Sequence, residues 1–231
     1  MSCSIIVPTL NEENNIDRIF NVIEDVFKNN NSKWELIFVD DQSKDDTIKK
    51  ILNLQVNHDN VKLINSPSRK GLGHALSLGW KGASLDYILF LDCDSHVPLQ
   101  DLISLVELRN KKHVIVGSRY LLKSQINGAP KIKVFLSKVL NYLVGKFLNI
   151  KILDISHSLR IFPNNYIEVG EILTHPGYFW ALSIKHQLSG YILKEIPITF
   201  NEREEGVTKN SSIKMIKSVL KTLIQLKSIK T

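Results

Sequence analysis

Two carboxylates stand two positions apart in Asp92-Cys93-Asp94, directly after the apolar run Tyr87-Ile88-Leu89-Phe90-Leu91. At the end of a buried strand, where the chain leaves regular structure, both side chains can turn towards one hard cation. Oxygen ligands suit Mg²⁺ or Mn²⁺, and Mg²⁺ usually keeps one or two carboxylates together with substrate phosphates. A cation held this way would grip a diphosphate and neutralise the charge that develops as it leaves. Alone, such a pair is more often two solvated loop acids, so the elements that position it decide between the readings.

Those elements alternate between strands and helices. Ser4 to Val7 is an apolar run closed by Pro8; Asn11-Glu12-Glu13-Asn14 then gives a helix-start signal before Ile16, Ile19, Phe20, Ile23 and Phe27 recur at helical spacing. Leu36 to Val39 is a second strand, ending at Asp40-Asp41, and Ser43 to Thr47 opens a helix that runs to about Leu54. Val61 to Ile64, Tyr87 to Leu91 and Val114 to Gly117 read as further strands, with helices at Leu72 to Ala83 and Leu99 to Leu108. Near-continuous apolar strands joined by helices predict an α/β fold, a mainly parallel central sheet flanked by helices. Ligands of such sheets bind beyond the carboxyl ends of the strands, which would bring Pro8, Asp40 and Asp92 to one crevice. Later in the chain, Lys131 to Asn149 predicts an amphipathic helix, Tyr191 to Phe200 a strand, and Ser212 to Ile229 a basic amphipathic helix.

Composition narrows the class. With 231 residues, 43% of them hydrophobic and 23% charged, the chain can bury a sizeable core. Thirty Lys plus Arg against 23 Asp plus Glu leave a formal charge of +7, which suits an anionic partner. The basic residues are not interleaved with aromatics in a nucleic-acid module, so a nucleic-acid role is disfavoured. No apolar run reaches the ~18 residues that a membrane span requires. The N-terminus shows no export signal, and two cysteines without a CxxC indicate neither a disulfide framework nor a thiolate zinc site. The expectation is a reduced, cytoplasmic setting.

The run Ser4-Ile5-Ile6-Val7-Pro8-Thr9-Leu10-Asn11-Glu12-Glu13, followed by Glu35-Leu36-Ile37-Phe38-Val39-Asp40-Asp41-Gln42-Ser43-Lys44-Asp45-Asp46-Thr47, resembles the two opening motifs of glycosyltransferase family 2. The order continues with Arg69-Lys70-Gly71-Leu72-Gly73-His74-Ala75, Asp92-Cys93-Asp94-Ser95-His96-Val97-Pro98 and Gly117-Ser118-Arg119-Tyr120. It ends with Glu195-Ile196-Pro197-Ile198-Thr199-Phe200 and Arg203-x-x-Gly206-Val207-Thr208-Lys209. The whole series is similar to the polyprenol-phosphate sugar synthases, the dolichol-phosphate mannose synthase branch of that family. The resemblance implies a nucleotide-diphospho-sugar transferase (GT-A type) fold. It also implies an inverting transfer of a hexose from a GDP- or UDP-sugar to a polyprenyl phosphate.

Carried over position by position, the resemblance places Pro8, Leu10, Glu12, Asp40, Lys70, Gly71, Asp92 and Cys93 along the nucleotide sugar. It makes Asp92 and Asp94 ligands of Mg²⁺ or Mn²⁺, with His96 four positions after Asp92 completing the metal shell, or else a solvent-facing loop histidine. Arg119, Arg160, Arg203 and Lys209 fall where the synthases gather positive charge for the diphosphate and the acceptor phosphate. Gly71-Leu72-Gly73 lacks the third glycine of a dinucleotide fingerprint. Its helix N-terminus can approach a phosphate or serve as a plain cap. Residues 1–210 would form the catalytic domain. The helix within 211–231 would lie on a membrane surface or pack on that domain, placing the protein peripherally at the cytoplasmic face. A membrane-protein partner or a homo-oligomer stays open.

Three positions depart from the family pattern. Asp154-Ile155-Ser156-His157-Ser158-Leu159-Arg160 has His157 in place of Ser and Ser158 in place of Gly, and Ser183 falls where an acid is usual. A hydroxyl acceptor needs a general base. A monoester phosphate, with a second pKa of about 6, is already mostly dianionic. The missing acid therefore weighs against a saccharide hydroxyl acceptor, the first alternative, more than against a lipid phosphate. It also leaves room for a nucleotide-sugar-binding subunit without catalysis.

Overall fold

The computed structural model describes residues 2–28, 32–169, 177–201 and 222–226. Along the chain come β1 (Cys3–Thr9), α1 (Ile16–Lys28), β2 (Trp34–Asp40), α2 (Thr47–Asn57), β3 (Val61–Asn65), α3 (Leu72–Gly82), β4 (Tyr87–Phe90) and α4 (Leu99–Glu107). They are followed by β5 (His113–Ser118), β6 (Gln125–Asn127), α5 (Lys131–Leu148), β7 (Arg160–Pro163), α6 (Gly177–Leu188), β8 (Ile192–Pro197) and β9 (Thr199–Asn201).

Seven strands form the main sheet in the order β3-β2-β1-β4-β7-β5-β8. Only β7 among them runs antiparallel to its neighbours, so the mainly parallel sheet expected from the sequence is present. The carboxyl ends of β1, β2, β4 and β5 consequently open on one rim, where β7 begins. Thr9 stands opposite Asp40, and Leu91 N–H donates to Ile6 O just beyond the last β4 pair.

Strand alternation divides the core into two halves. Cys3, Ile5 and Val7 point into one, with Ile16, Ile19, Phe20 and Ile23 of α1, Ile51 of α2, and Leu102 and Leu105 of α4. Ile6 points into the other, with Ala75, Leu76 and Trp80 of α3, Val144 and Leu148 of α5, and Tyr178 to Leu182 of α6. Each such side chain fully removed from water contributes about 1.5–3 kcal/mol, which is why both faces are covered. Gly79 allows α3 to lie flat on the sheet: a Cβ there would run into Ile6 and stand 2.9 Å from Val39 Cγ2.

Several elements, among them the short strand β6, differ from the sequence expectation. α6 is buried on nearly every side from Gly177 to Ile184, so it shows no amphipathic period to read. The strand expected over Tyr191 to Phe200 splits at Pro197-Ile198 into β8, in the main sheet, and β9, which pairs with β6. The four-residue strand β7 was not expected at all. Most of the basic helix expected over Ser212 to Ile229 lies outside the described residues. Its one described turn, 222–226, buries Thr222 and Leu226 against the domain.

Candidate functional site

The rim is built from loops that hold one another. The β1–α1 and β2–α2 loops are laced: Asn11 N–H donates to Ser43 Oγ (2.9 Å), Lys44 N–H to Asn11 Oδ1 (2.8 Å) and Glu12 N–H to Thr47 Oγ1 (2.8 Å). Asn11 and Gln42 take positive φ angles of 56° and 73°, so both loops are bent to fit this lacing. Pro8 and Leu10 stand half-buried at the β1 end, with Glu12 half-buried beyond them.

Two rim acids are spent on shaping it. Asp40, expected against a nucleoside base, is 1% exposed; it accepts from Ser43 N–H (2.9 Å), Ser43 Oγ (2.5 Å) and Thr9 Oγ1 (3.3 Å). It organises the β2–α2 turn rather than presenting a carboxylate to the crevice. Asp41 accepts the N–H groups of Lys70 (3.1 Å) and Gly71 (2.9 Å). The backbone leading into α3 is thus fixed by a carboxylate of the neighbouring loop. Gly71 is required because its φ of 87° with ψ near −179° is a glycine-only conformation.

Asp92 and Asp94 are half-buried, and Cys93 between them is 1% exposed, its thiol inside the first core half. Burial pushes that thiol's pKa up, reinforced by the negative charge of Glu12 and Asp94, so the Cys93 side chain packs as a neutral group. Its carbonyl faces α1 instead. Arg18 forks onto the loop, Nη1 donating to Ser95 O (2.7 Å) and Nη2 to Cys93 O (2.8 Å). From the opposite side Ser158 Oγ donates to Asp92 Oδ2 (2.5 Å). The departure from glycine at 158 therefore places a hydroxyl on the central carboxylate.

His96 is exposed, and among the described residues no three His, Cys, Asp or Glu side chains converge on a metal position. The expected Asp92–Asp94–His96 triad is thus not assembled. The two carboxylates nevertheless fit a hard cation that draws its remaining oxygens from a diphosphate and water.

Arg119 follows β5 and stands over Asp154, which is fully buried: Nε reaches Asp154 Oδ2 and Nη2 reaches Oδ1, each at 2.8 Å. Burial opposes both charges, yet this fork holds the Asp154 pKa below its ordinary value and raises that of Arg119. The guanidinium lies 5.1 Å from the Tyr120 ring centroid and 5.5 Å from that of Phe200. Beside it is a cavity of about 160 Å³ lined by Arg119, Lys133, Ser137, Ile126, Val134 and Phe200. A second cavity of about 300 Å³ continues along α5 past Val134, Phe135 and Lys138.

Arg160 is a correction. Expected among the phosphate-facing cations, it is 0% exposed, with Nη1 on Ser183 Oγ (3.2 Å) and Nη2 on the carbonyls of Ile155 (3.1 Å) and His157 (2.5 Å). Burial pulls its pKa down to about 9, which leaves it charged at neutral pH inside the core. Ser183 is also 0% exposed, so the position where the family usually has an acid is here a packing contact of Arg160. His157 is buried too, and burial together with the Arg119 charge lowers its pKa to about 3. Arg203 and Lys209 lie outside the described residues.

Arg18, Asn15 and Lys133 were not among the site residues expected from the sequence. For Arg18 a signal existed: a cation in the first turn of a helix opposes the helix dipole, so something else must hold it there.

The fold defines a class before it defines a family. The chain superposes on glucosyl-3-phosphoglycerate synthase from Mycobacterium tuberculosis, solved in complex with Mg²⁺ and uridine-diphosphate, with a TM-score of 0.66 at 17% identity, covering 97% of this chain and 79% of that one. It has the GT-A type fold of nucleotide-diphospho-sugar transferases. The family model for glycosyl transferase family 2 matches residues 4–170, and the chain belongs to that family. Dolichol-phosphate mannosyltransferase from Pyrococcus furiosus is 32% identical over 214 residues, covering 90% of this chain and 59% of that relative. Polyprenol monophosphomannose synthase from Mycolicibacterium smegmatis is 27% identical over 228 residues, covering 94% of this chain and 84% of that relative. The chain thus spans somewhat over half the length of the Pyrococcus protein.

Proposed function

We propose that the chain is a metal-dependent, inverting hexosyltransferase that moves a sugar from a GDP- or UDP-sugar to a polyprenyl phosphate. The observation that carries this reading is the cavity beside Arg119, where Arg119 and Lys133 share walls with Ile126, Val134 and Phe200. Cations beside apolar walls match an acceptor that is a phosphate at one end and a hydrocarbon at the other. That cavity and the Asp92–Asp94 loop share the rim, and the negative charge of Asp92 reaches Arg119.

In this scheme Glu12 and the β1 end line the nucleoside, and Asp92 and Asp94 hold Mg²⁺ or Mn²⁺ against the diphosphate. The ion, when bound, supplies charge neutralisation for the leaving group. Arg119 and Lys133 orient the acceptor phosphate. One of its oxygens attacks the anomeric carbon from the face opposite the nucleotide. The carbon–oxygen bond to the diphosphate breaks, and its electron pair leaves with the nucleoside diphosphate. No general base is required, because the attacking phosphate carries no proton that must be removed. Rate comes from positioning and charge stabilisation. Arg203 and Lys209 would add positive charge to the same site.

Membrane contact belongs to the same proposal. Among the described residues no helix is long and apolar enough to cross a membrane. α5, however, exposes Ile132, Phe135, Leu136, Tyr142, Leu143 and Phe147, each at least half exposed, and carries four lysines and no acid. A basic amphipathic helix of this kind suits an anionic lipid surface. It would bring the cavity to the acceptor's hydrocarbon.

The test is transfer of radiolabel from GDP- and UDP-hexoses to a short-chain prenyl phosphate. Organic-extractable product that disappears on chelation supports the proposal. Product confined to the aqueous phase would point to a saccharide acceptor, and donor binding without turnover or hydrolysis to a non-catalytic subunit.

A further inference from the structure

The Asp92–Asp94 loop is held from behind, and the holder also reaches Glu12. Besides donating to the two loop carbonyls, Arg18 donates through Nε and Nη2 to Asn15 Oδ1, at 3.4 and 3.3 Å. Asn15 Nδ2 in turn donates to Glu12 Oε2 at 2.7 Å. Asn15 stands just before α1, where its carbonyl accepts from Ile19 N–H (2.9 Å), and Arg18 lies in the first turn of that helix, so the start of α1 spans from one acid group to the other. Asn15 is suited to the middle because its amide accepts at one end and donates at the other. A guanidinium is suited to the far end because its planar fork meets two acceptors in fixed geometry.

The contacts fall on backbone. Holding the carbonyls of Cys93 and Ser95, with Ser95 N–H donating to Asp92 O (3.0 Å), sets the path of the turn that carries both aspartates.

We infer that Arg18 is a positioning residue for the Asp92–Asp94 loop and that Asn15 ties it to Glu12, so that the metal side and the nucleoside side of the donor site are set as one unit. This rests on the donor-site reading above. Groups that orient metal ligands without touching the metal typically change its affinity 10–100-fold when removed.

The experiment measures Mn²⁺ affinity by titration in the presence of GDP and, separately, of UDP, and amide exchange at residues 93–96 in the metal-free protein. In wild type, Mn²⁺ should bind with at least one nucleotide; binding with neither overturns the donor-site reading and this inference with it. Given wild-type binding, Arg18→Met should weaken Mn²⁺ by roughly tenfold or more and speed exchange across the loop. Arg18→Lys keeps the charge without the fork and should fall between the two, and it carries the test if Arg18→Met does not fold. Asn15→Ala should lower nucleotide affinity while leaving loop exchange near wild type. Unchanged Mn²⁺ affinity and exchange in both Arg18 variants overturn the inference alone. Unchanged nucleotide affinity in Asn15→Ala overturns the tie to Glu12.

Discussion

Glu35 at one rim of the sheet and the Asp92–Asp94 pair at the other are held in different ways. At the amino ends of the strands, Glu35 is 5% exposed and saturated: it accepts from Ser4 Oγ (2.6 Å) and Ser84 N–H (2.7 Å) and pairs with Lys62 at 2.5 Å. Burial raises its pKa, but the Lys62, Ser4 and Ser84 hydrogen bonds outweigh burial and hold it below the ordinary range. At the carboxyl ends, Asp92 and Asp94 are half-buried, and the loop between them is fixed largely through its backbone. A carboxylate whose oxygens are satisfied inside the protein serves the fold. One carried on a braced backbone and left half-exposed is placed to meet something from outside.

This contrast can be broken in a definite order. Asp94→Ala should cut transfer by about a thousandfold, roughly 4 kcal/mol of barrier, with the urea midpoint near wild type. A comparable rate in the variant would remove the acid from the site. Arg119→Ala should do both kinds of damage. Loss of the buried Asp154 partner should cost about 3–5 kcal/mol of stability, and the acceptor KM should rise. A drop in stability with unchanged KM would make Arg119 purely structural.

Glu35→Ala is the mirror experiment. Leaving the Ser84 N–H and Ser4 hydroxyl unpaired should cost about 1–3 kcal/mol in chemical denaturation while activity per folded molecule holds. Similar in size, and confined to acid, is a pH effect. His157 and His186 are buried, and burial with the nearby Arg119 charge for the first and Arg160 charge for the second lowers each pKa to about 3. The unfolded chain binds those protons from about pH 6.5 downward while the folded chain does not. Stability should therefore be unaffected above neutrality and fall on acidification by up to about 1.4 kcal/mol per pH unit for each histidine. Urea midpoints at pH 7.5 and 5.5 read this directly. His186→Phe should remove about half of the drop, and an unchanged drop would exonerate that histidine.

Much of this organisation was legible from residue types and spacing. The acids at the ends of apolar runs located the rim, because a parallel sheet brings the carboxyl ends of its strands together whatever the intervening sequence. The division of labour among those acids was not legible. Asp40 and Asp92 both follow apolar strands, and only the structure shows that one is buried in its own turn with Ser43 while the other stays half-buried at the rim. Arg160 was misread because an arginine looks the same in sequence whether it faces solvent or the buried helix α6. Arg18 was missed because its partners are carbonyl oxygens, which every residue owns and no side-chain pattern reveals. α6 lacked a period because it has no exposed face to alternate with.

The most direct test is an anomalous-scattering map from crystals soaked in Mn²⁺ with GDP or UDP. One manganese peak within about 2.5 Å of carboxylate oxygens of Asp92 or Asp94, bridged to the diphosphate, is the expected result. A nucleotide bound elsewhere on the molecule, or manganese at other acids with the Asp92–Asp94 loop empty, would contradict it.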